Sequence, residues 1–165
     1  MKNAQKPEWA NSSLSPEVQL AHKLLTMTAP RLSDDFSGIG IVFYHSLASL
    51  SFLPLKVVEA QNWELPVAGL NEISDVLAKT ARTSSSWHDG FHFVHANSVC
   101  LTHLCQFIAP PLPITSGTLP SASGARHMTA LLASKVEGIV TVGLLTQERA
   151  VSIYRFGILT LNEAV

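Results

Sequence analysis

Charge is scarce in this sequence. Only 14% of its 165 residues are Asp, Glu, Lys or Arg, while 47% are hydrophobic, so much of the surface is expected to be covered, partly by a partner. The formal net charge of -1 excludes a general attraction to nucleic-acid backbones or anionic lipid. No DNA or RNA partner is expected, and any anion site must be local. Cysteine is limited to Cys100 and Cys105, too few and too close together for a disulfide framework. No run of about 18 apolar residues exists, so no membrane partner is expected. The opening MKNAQKPEWANSS lacks an apolar secretion-signal core. These absences predict a cytosolic protein. A G-x-S-x-G elbow is missing too, and His88 and Asp89 adjoin on one backbone, which argues against a serine triad.

What is present reads as one α/β domain with a mixed sheet flanked by helices, over residues 15–165, behind a polar arm at 1–14. Ser15-Pro16-Glu17 predicts a helix start: a cap, a proline at the first helical position and an acid in the first turn. Val18, Ala21, Leu24, Leu25 and Thr28 follow at helical spacing, and Pro30 ends the element. GIGIVFYH (38–45) predicts a strand, and LPLKVVEA (53–60) a second. LNEISDVLAKTAR, from Leu70, is an amphipathic helix with Asn71 as candidate cap. FHFVHA (91–96) and VCLTHLCQFI (99–108) predict a hairpin. The stretch 109–124 is a proline-rich loop. A helix at 125–135, a buried strand at 138–145, the turn TQER and a partner strand at 151–157 complete the reading.

Three constellations are candidate sites. His88, His92, His95, Cys100, His103 and Cys105 carry zinc-ligand chemistry. On strands, however, His92 and His95 point to opposite faces, as do Cys100 and Cys105, so no zinc is expected. Asp89-Gly90 is either a common turn pair or a close backbone approach beside a carboxylate able to hold a divalent metal or a ribose hydroxyl. SASGARHM (121–128) puts Arg126 and His127 in the first turn of a helix. Cations oppose the helix dipole at that end unless an anion is also present, and the Arg fork suits phosphate.

The ordered set HDGF, strand, strand, proline-rich loop, then SGARHMTALLASKVEGIVTVGLLTQERAVSIYRFG resembles the diadenylate cyclase (DAC) domain family over roughly residues 70–157. In that family a D-G-A motif and a G-T-R-H-R motif frame an ATP site. The resemblance implies that Asp89 is the metal ligand and hydroxyl activator. It implies that Gly90, Phe91, Ser123, Gly124, Ala125, Arg126, His127, Gln147 and Ser152 line the nucleotide site. It further implies an ATP or other nucleotide ligand, a magnesium or manganese ion, and a homo-oligomer in which two domains face each other. The effector protein is not named by the sequence.

Several positions depart from the family pattern. Phe91 replaces a small alanine, and Ala125 a threonine. Met128 replaces a second arginine. Leu145, Thr146 and Gln147 replace S-E-E, leaving Glu148 one position away as a substitute metal acid. One missing electrostatic contributor to phosphoryl transfer costs about 3 kcal/mol of transition-state stabilisation. Binding suffers less. The pattern therefore implies a degenerate, sensor-type DAC-like domain that binds ATP or a cyclic dinucleotide without efficient turnover. The alternatives are an active diadenylate cyclase and a structural module with a vestigial pocket.

Overall fold

The computed structural model describes residues 14–56, 63–112 and 124–165. The first helix, α1 (Pro16–Thr28), begins as its residues dictate. Ser15 is extended, and its hydroxyl accepts from the Val18 N–H. Val18, Ala21, Leu24, Leu25 and Thr28 form its buried stripe. A short 3-10 turn, Ala29–Arg31, carries the chain past Pro30. Arg155 fastens the helix start from the far end of the sequence, donating to the Ser15 hydroxyl at 2.6 Å and lying 3.4 Å from Glu17.

Eight strands make one mixed sheet: β1 (Ile39–Tyr44), β2 (Phe52–Pro54), β3 (Val67–Ala68), β4 (Phe91–His95), β5 (Cys100–Ile108), β6 (Ile139–Leu145), β7 (Ala150–Arg155) and β8 (Ile158–Ala164). The order across it is β2-β5-β4-β1-β6-β7-β8, with β3 on the flank of β5. Among the described residues only β1 and β4 pair in parallel, Ile41 opposite His92 and Phe43 opposite Val94. The connection between them carries α2 (Leu70–Thr80), as a parallel pair requires. α1 and α2 cover one face over a core that includes Leu24, Leu25, Ile41, Phe43, Ile73 and Leu77. α3 (Ala125–Ala133) lies over the opposite face, whose core includes Val42, Phe93, Leu131, Val142 and Leu144. Central strands β1 and β6 are buried on both faces, which is why they read as continuous apolar runs rather than alternating ones.

Several expectations are corrected. The second strand is Phe52–Pro54 rather than 53–60, and residues 57–62 lie outside the described residues. Gly69, not Asn71, caps α2; its φ of +92° needs no side chain there. The third helix stops at Ala133. The strand expected at 151–157 ends at Arg155, because Phe156 and Gly157 turn with positive φ into β8. The arm and most of the proline-rich loop, with Ser123, fall outside the described residues.

Phe91 is a core residue, 6% exposed, and its ring fills the space over Gly40. A Cβ on Gly40 would fall 2.7 Å from a Phe91 ring carbon. Gly40 is therefore the partner that admits a large side chain at position 91. Gly40→Ala is expected to destabilise the wild-type chain by about 1–3 kcal/mol through overpacking, but by less than about 1 kcal/mol once Phe91→Ala has emptied the space. Urea unfolding of the two single variants and the double variant measures that coupling.

Candidate functional site

Strand directions gather the candidate residues at one edge of the sheet. β1 and β4 run in parallel, so the residues before them, Ser37-Gly38 and Asp89-Gly90, share that edge. β6 runs against β1 with Leu145 opposite Ile39, so its following turn returns there. The start of α3 arrives at the same place. A cavity of about 440 Å³ results, lined by residues that include Gly38, Arg126, His127, Leu145, Gln147 and Glu148.

Arg126 is the cation of this cavity. It projects from the first turn of α3, where Gly124 caps with φ +90° and no side-chain hydrogen bond. Its guanidinium crosses to β1, donating to the Ser37 carbonyl at 3.2 Å, and stands 3.9 Å from an Asp89 oxygen. The Asp89 side chain is 72% exposed, so this pair contributes at most about 1 kcal/mol. The same Asp89 oxygen accepts from the Gly90 N–H at 2.7 Å, which fixes the turn into β4. Gly38 matters for the same reason as Arg126. Its φ is +92°, and a Cβ there would lie 2.9 Å from an Arg126 nitrogen. Gly90 also has positive φ, and a Cβ on it would meet the Gln106 carbonyl oxygen at 2.6 Å.

The opposite wall is the turn Thr146–Arg149. Its amides close on themselves, with Arg149 N–H donating to the Thr146 carbonyl at 3.0 Å. Arg149 turns away from the cavity to donate to the Ala29 carbonyl at 2.9 Å and to lie over the Phe36 ring. That leaves Gln147 and Glu148 facing the cavity. Backbone N–H donation in the turn holds the Glu148 carboxyl below its usual range; the Thr146 hydroxyl acts in the same direction.

The sequence-derived residues therefore divide. Arg126, His127, Gln147 and Glu148 line the cavity, and Asp89 stands beside Arg126. Gly124 and Ala125 are exposed at the helix start. Phe91 lies in the core instead, packed against Gly40. Ser152 is also buried, its hydroxyl bonded to Asn162 at 3.2 Å rather than directed at the cavity. Met128 packs against the α3-side core. Ser37 and Gly38 belong to the cavity wall but were not singled out, because DDFSG reads as an ordinary loop until β1 is paired with β6.

The histidines go separate ways. The His88 Nδ1 meets the Ser85 carbonyl, and that of His95 meets the Ser98 hydroxyl. His103 bonds Thr102. His92 is 2% exposed and accepts the Cys105 N–H at 3.1 Å. Among the described residues no three His, Cys, Asp or Glu side chains converge on a metal position. Magnesium is commonly held by one or two carboxylates together with substrate phosphates. Glu148 lines the cavity and Asp89 stands beside Arg126.

No protein-family model matches the chain. No curated protein matches it either. Among solved structures it is similar to a hypothetical membrane-spanning protein from Bacillus cereus, with a TM-score of 0.54 at 16% identity. That match covers 92% of this chain and 63% of the other, so the chain spans less than two thirds of that protein. It is also aligned with DacA from Staphylococcus aureus at 15% identity, covering 90% of this chain and 85% of that one, with a TM-score of 0.48. The first likeness shows a shared fold. No helix among the described residues is long and apolar enough to cross a membrane.

Burial drops the pKa of His92 from its usual value near 6.5 to about 4, and the charge of Arg126 adds to the shift. The native state thus refuses a proton that the unfolded chain takes up as pH falls below 6.5. Stability is expected to be full above that pH and to fall by roughly 3 kcal/mol as pH drops towards 4. Urea midpoints measured from pH 7 to pH 4 should show this slope, and His92→Gln should flatten it.

Proposed function

We propose that this chain is a DAC-like nucleotide-binding domain of the sensor type, holding a phosphate-bearing ligand without efficient turnover. One observation carries this reading. Arg126 and His127, in the first turn of α3, share a cavity with Gln147 and Glu148, while Asp89 stands 3.9 Å from Arg126. Free N–H groups at a helix start, joined by a guanidinium, favour an anion. A volume of about 440 Å³ lies within the range of small-ligand sites.

The arrangement is weaker as a catalyst than as a binder. Met128 packs on the core and leaves the phosphate end to one arginine. Gln147 brings an amide where the family resemblance expects an acid. Titration calorimetry with ATP and with cyclic dinucleotides is expected to detect binding. Arg126→Ala should weaken it by at least about tenfold, the loss of one charge-assisted contact. Silence across the whole panel, in wild type and variant alike, overturns the proposal.

Glu148 supports a second reading, as an active diadenylate cyclase. It faces the cavity together with Gln147, so a carboxylate is present although displaced by one position. When bound, a divalent metal would neutralise charge on the transferring phosphoryl group; Asp89 and Glu148 would hold it. Incubation with ATP and Mn²⁺, followed by chromatography, distinguishes the two readings. The sensor reading expects no cyclic di-AMP. Product that disappears in Asp89→Asn would replace it with the enzyme.

A further inference from the structure

We infer that Tyr154 is a positioning residue that fixes the tautomer of His127, so that the imidazole presents an N–H to the cavity. The Tyr154 hydroxyl lies 2.6 Å from the Nδ1 of His127, with the two rings edge to face at 6.0 Å. Tyr154 is 4% exposed, on β7 beneath α3. His127 lines the cavity. One ring nitrogen is therefore turned to the core, and the edge carrying Nε2 remains for the cavity.

Either group could donate across this contact, and burial decides which one does. Among the described residues, the Tyr154 hydroxyl has this single hydrogen-bond partner. Were Nδ1 to donate, the buried phenol proton would be left without an acceptor, an arrangement that folded proteins avoid. With the phenol donating, Nδ1 accepts and the ring proton sits on Nε2, where a ligand or water can receive it. Burial also raises the Tyr154 pKa, which keeps the donor protonated. The charged groups around the ring are Arg126 on its own helix and Glu148 across the cavity.

The consequence for ligand chemistry rests on the nucleotide-binding reading above. With its Nε2–H outward, His127 is a second donor beside Arg126. Two donors of this kind suit a phosphate that accepts from both, and they offer no acceptor to a hydroxyl or amine. The opposite wall brings acceptors, the Glu148 carboxylate and the Gln147 amide, together with the Thr146 hydroxyl. Donors on α3 and acceptors on the turn give the cavity a polarity. A ligand with phosphate at one end and hydroxyl or amino groups at the other fits it in one orientation.

The test begins with the free protein, where ligand identity plays no part. Long-range ¹⁵N–¹H NMR in mildly alkaline solution should show the Nδ1 of His127 unprotonated and its Nε2 protonated. In Tyr154→Phe, which keeps the ring and removes only the hydroxyl, the same resonances should shift towards a mixture of tautomers. A protonated Nδ1 in the wild-type protein, or an unchanged tautomer in Tyr154→Phe, overturns the inference. Inorganic pyrophosphate supplies the second readout. Its affinity should fall about fivefold in Tyr154→Phe, one neutral hydrogen bond's worth, while the urea midpoint moves little. If pyrophosphate binds neither protein but the tautomer behaves as expected, the positioning role stands and the ligand reading fails.

Discussion

The parallel pairing of β1 with β4 is the constraint on which the site depends. A parallel neighbour cannot be reached by a tight turn, so the chain crosses over through α2 and re-enters the sheet from the same edge. Two segments just over fifty positions apart, Ser37-Gly38 and Asp89-Gly90, thereby become neighbours. The antiparallel return of β6 against β1 adds the Thr146–Arg149 turn. α3 precedes β6 and must run back across the sheet before it, so its first turn lies at the same edge. Every wall of the cavity follows from strand direction. Side chains then decide its chemistry.

The second determinant is the packing beneath that edge. Phe91 begins β4 and sends its ring over Gly40 into the α3-side core. Next to it, His92 faces the opposite core, neutral and accepting the Cys105 amide. Alternation along β4 thus puts a large aromatic ring on one face and a buried imidazole on the other, immediately behind Asp89-Gly90. Neither side chain lines the cavity, yet both set where the turn sits. The local sequence HDGFH gives the impression of a cluster of functional groups. Only its aspartate and glycine stand at the site.

Legibility in the sequence followed the range of the forces involved. α1 was readable because its cap, its proline and its apolar spacing are all local. The central strands were readable because burial on both faces demands continuous apolar runs. β8 was not, since it is an edge strand with mostly exposed residues and no alternation. β3, two residues long, exists only because Leu101 and Cys100 are beside it. Arg126 and His127 were legible from helix electrostatics, but Ser37 and Gly38 were not, because their role depends on a register set more than a hundred residues later. Phe91, which the resemblance implies at the nucleotide site, lies in the core for a related reason. Whether a phenylalanine faces a pocket or a core depends on its neighbour across the sheet, and Gly40 cannot be recognised as that neighbour without the pairing.

The balance of charge at this edge bears on what the cavity can do. One guanidinium stands near the Asp89 carboxylate and shares the cavity with Gln147 and Glu148 on the turn after β6. Ground-state binding of an anion needs only a few well-placed donors, and the α3 start and Arg126 are donors at this edge. Phosphoryl transfer asks more, because charge on the transferring group grows and must be neutralised as it grows. Met128, two positions after Arg126, is partly buried and packs against the α3-side core, so the first turns of α3 carry no second guanidinium beside Arg126.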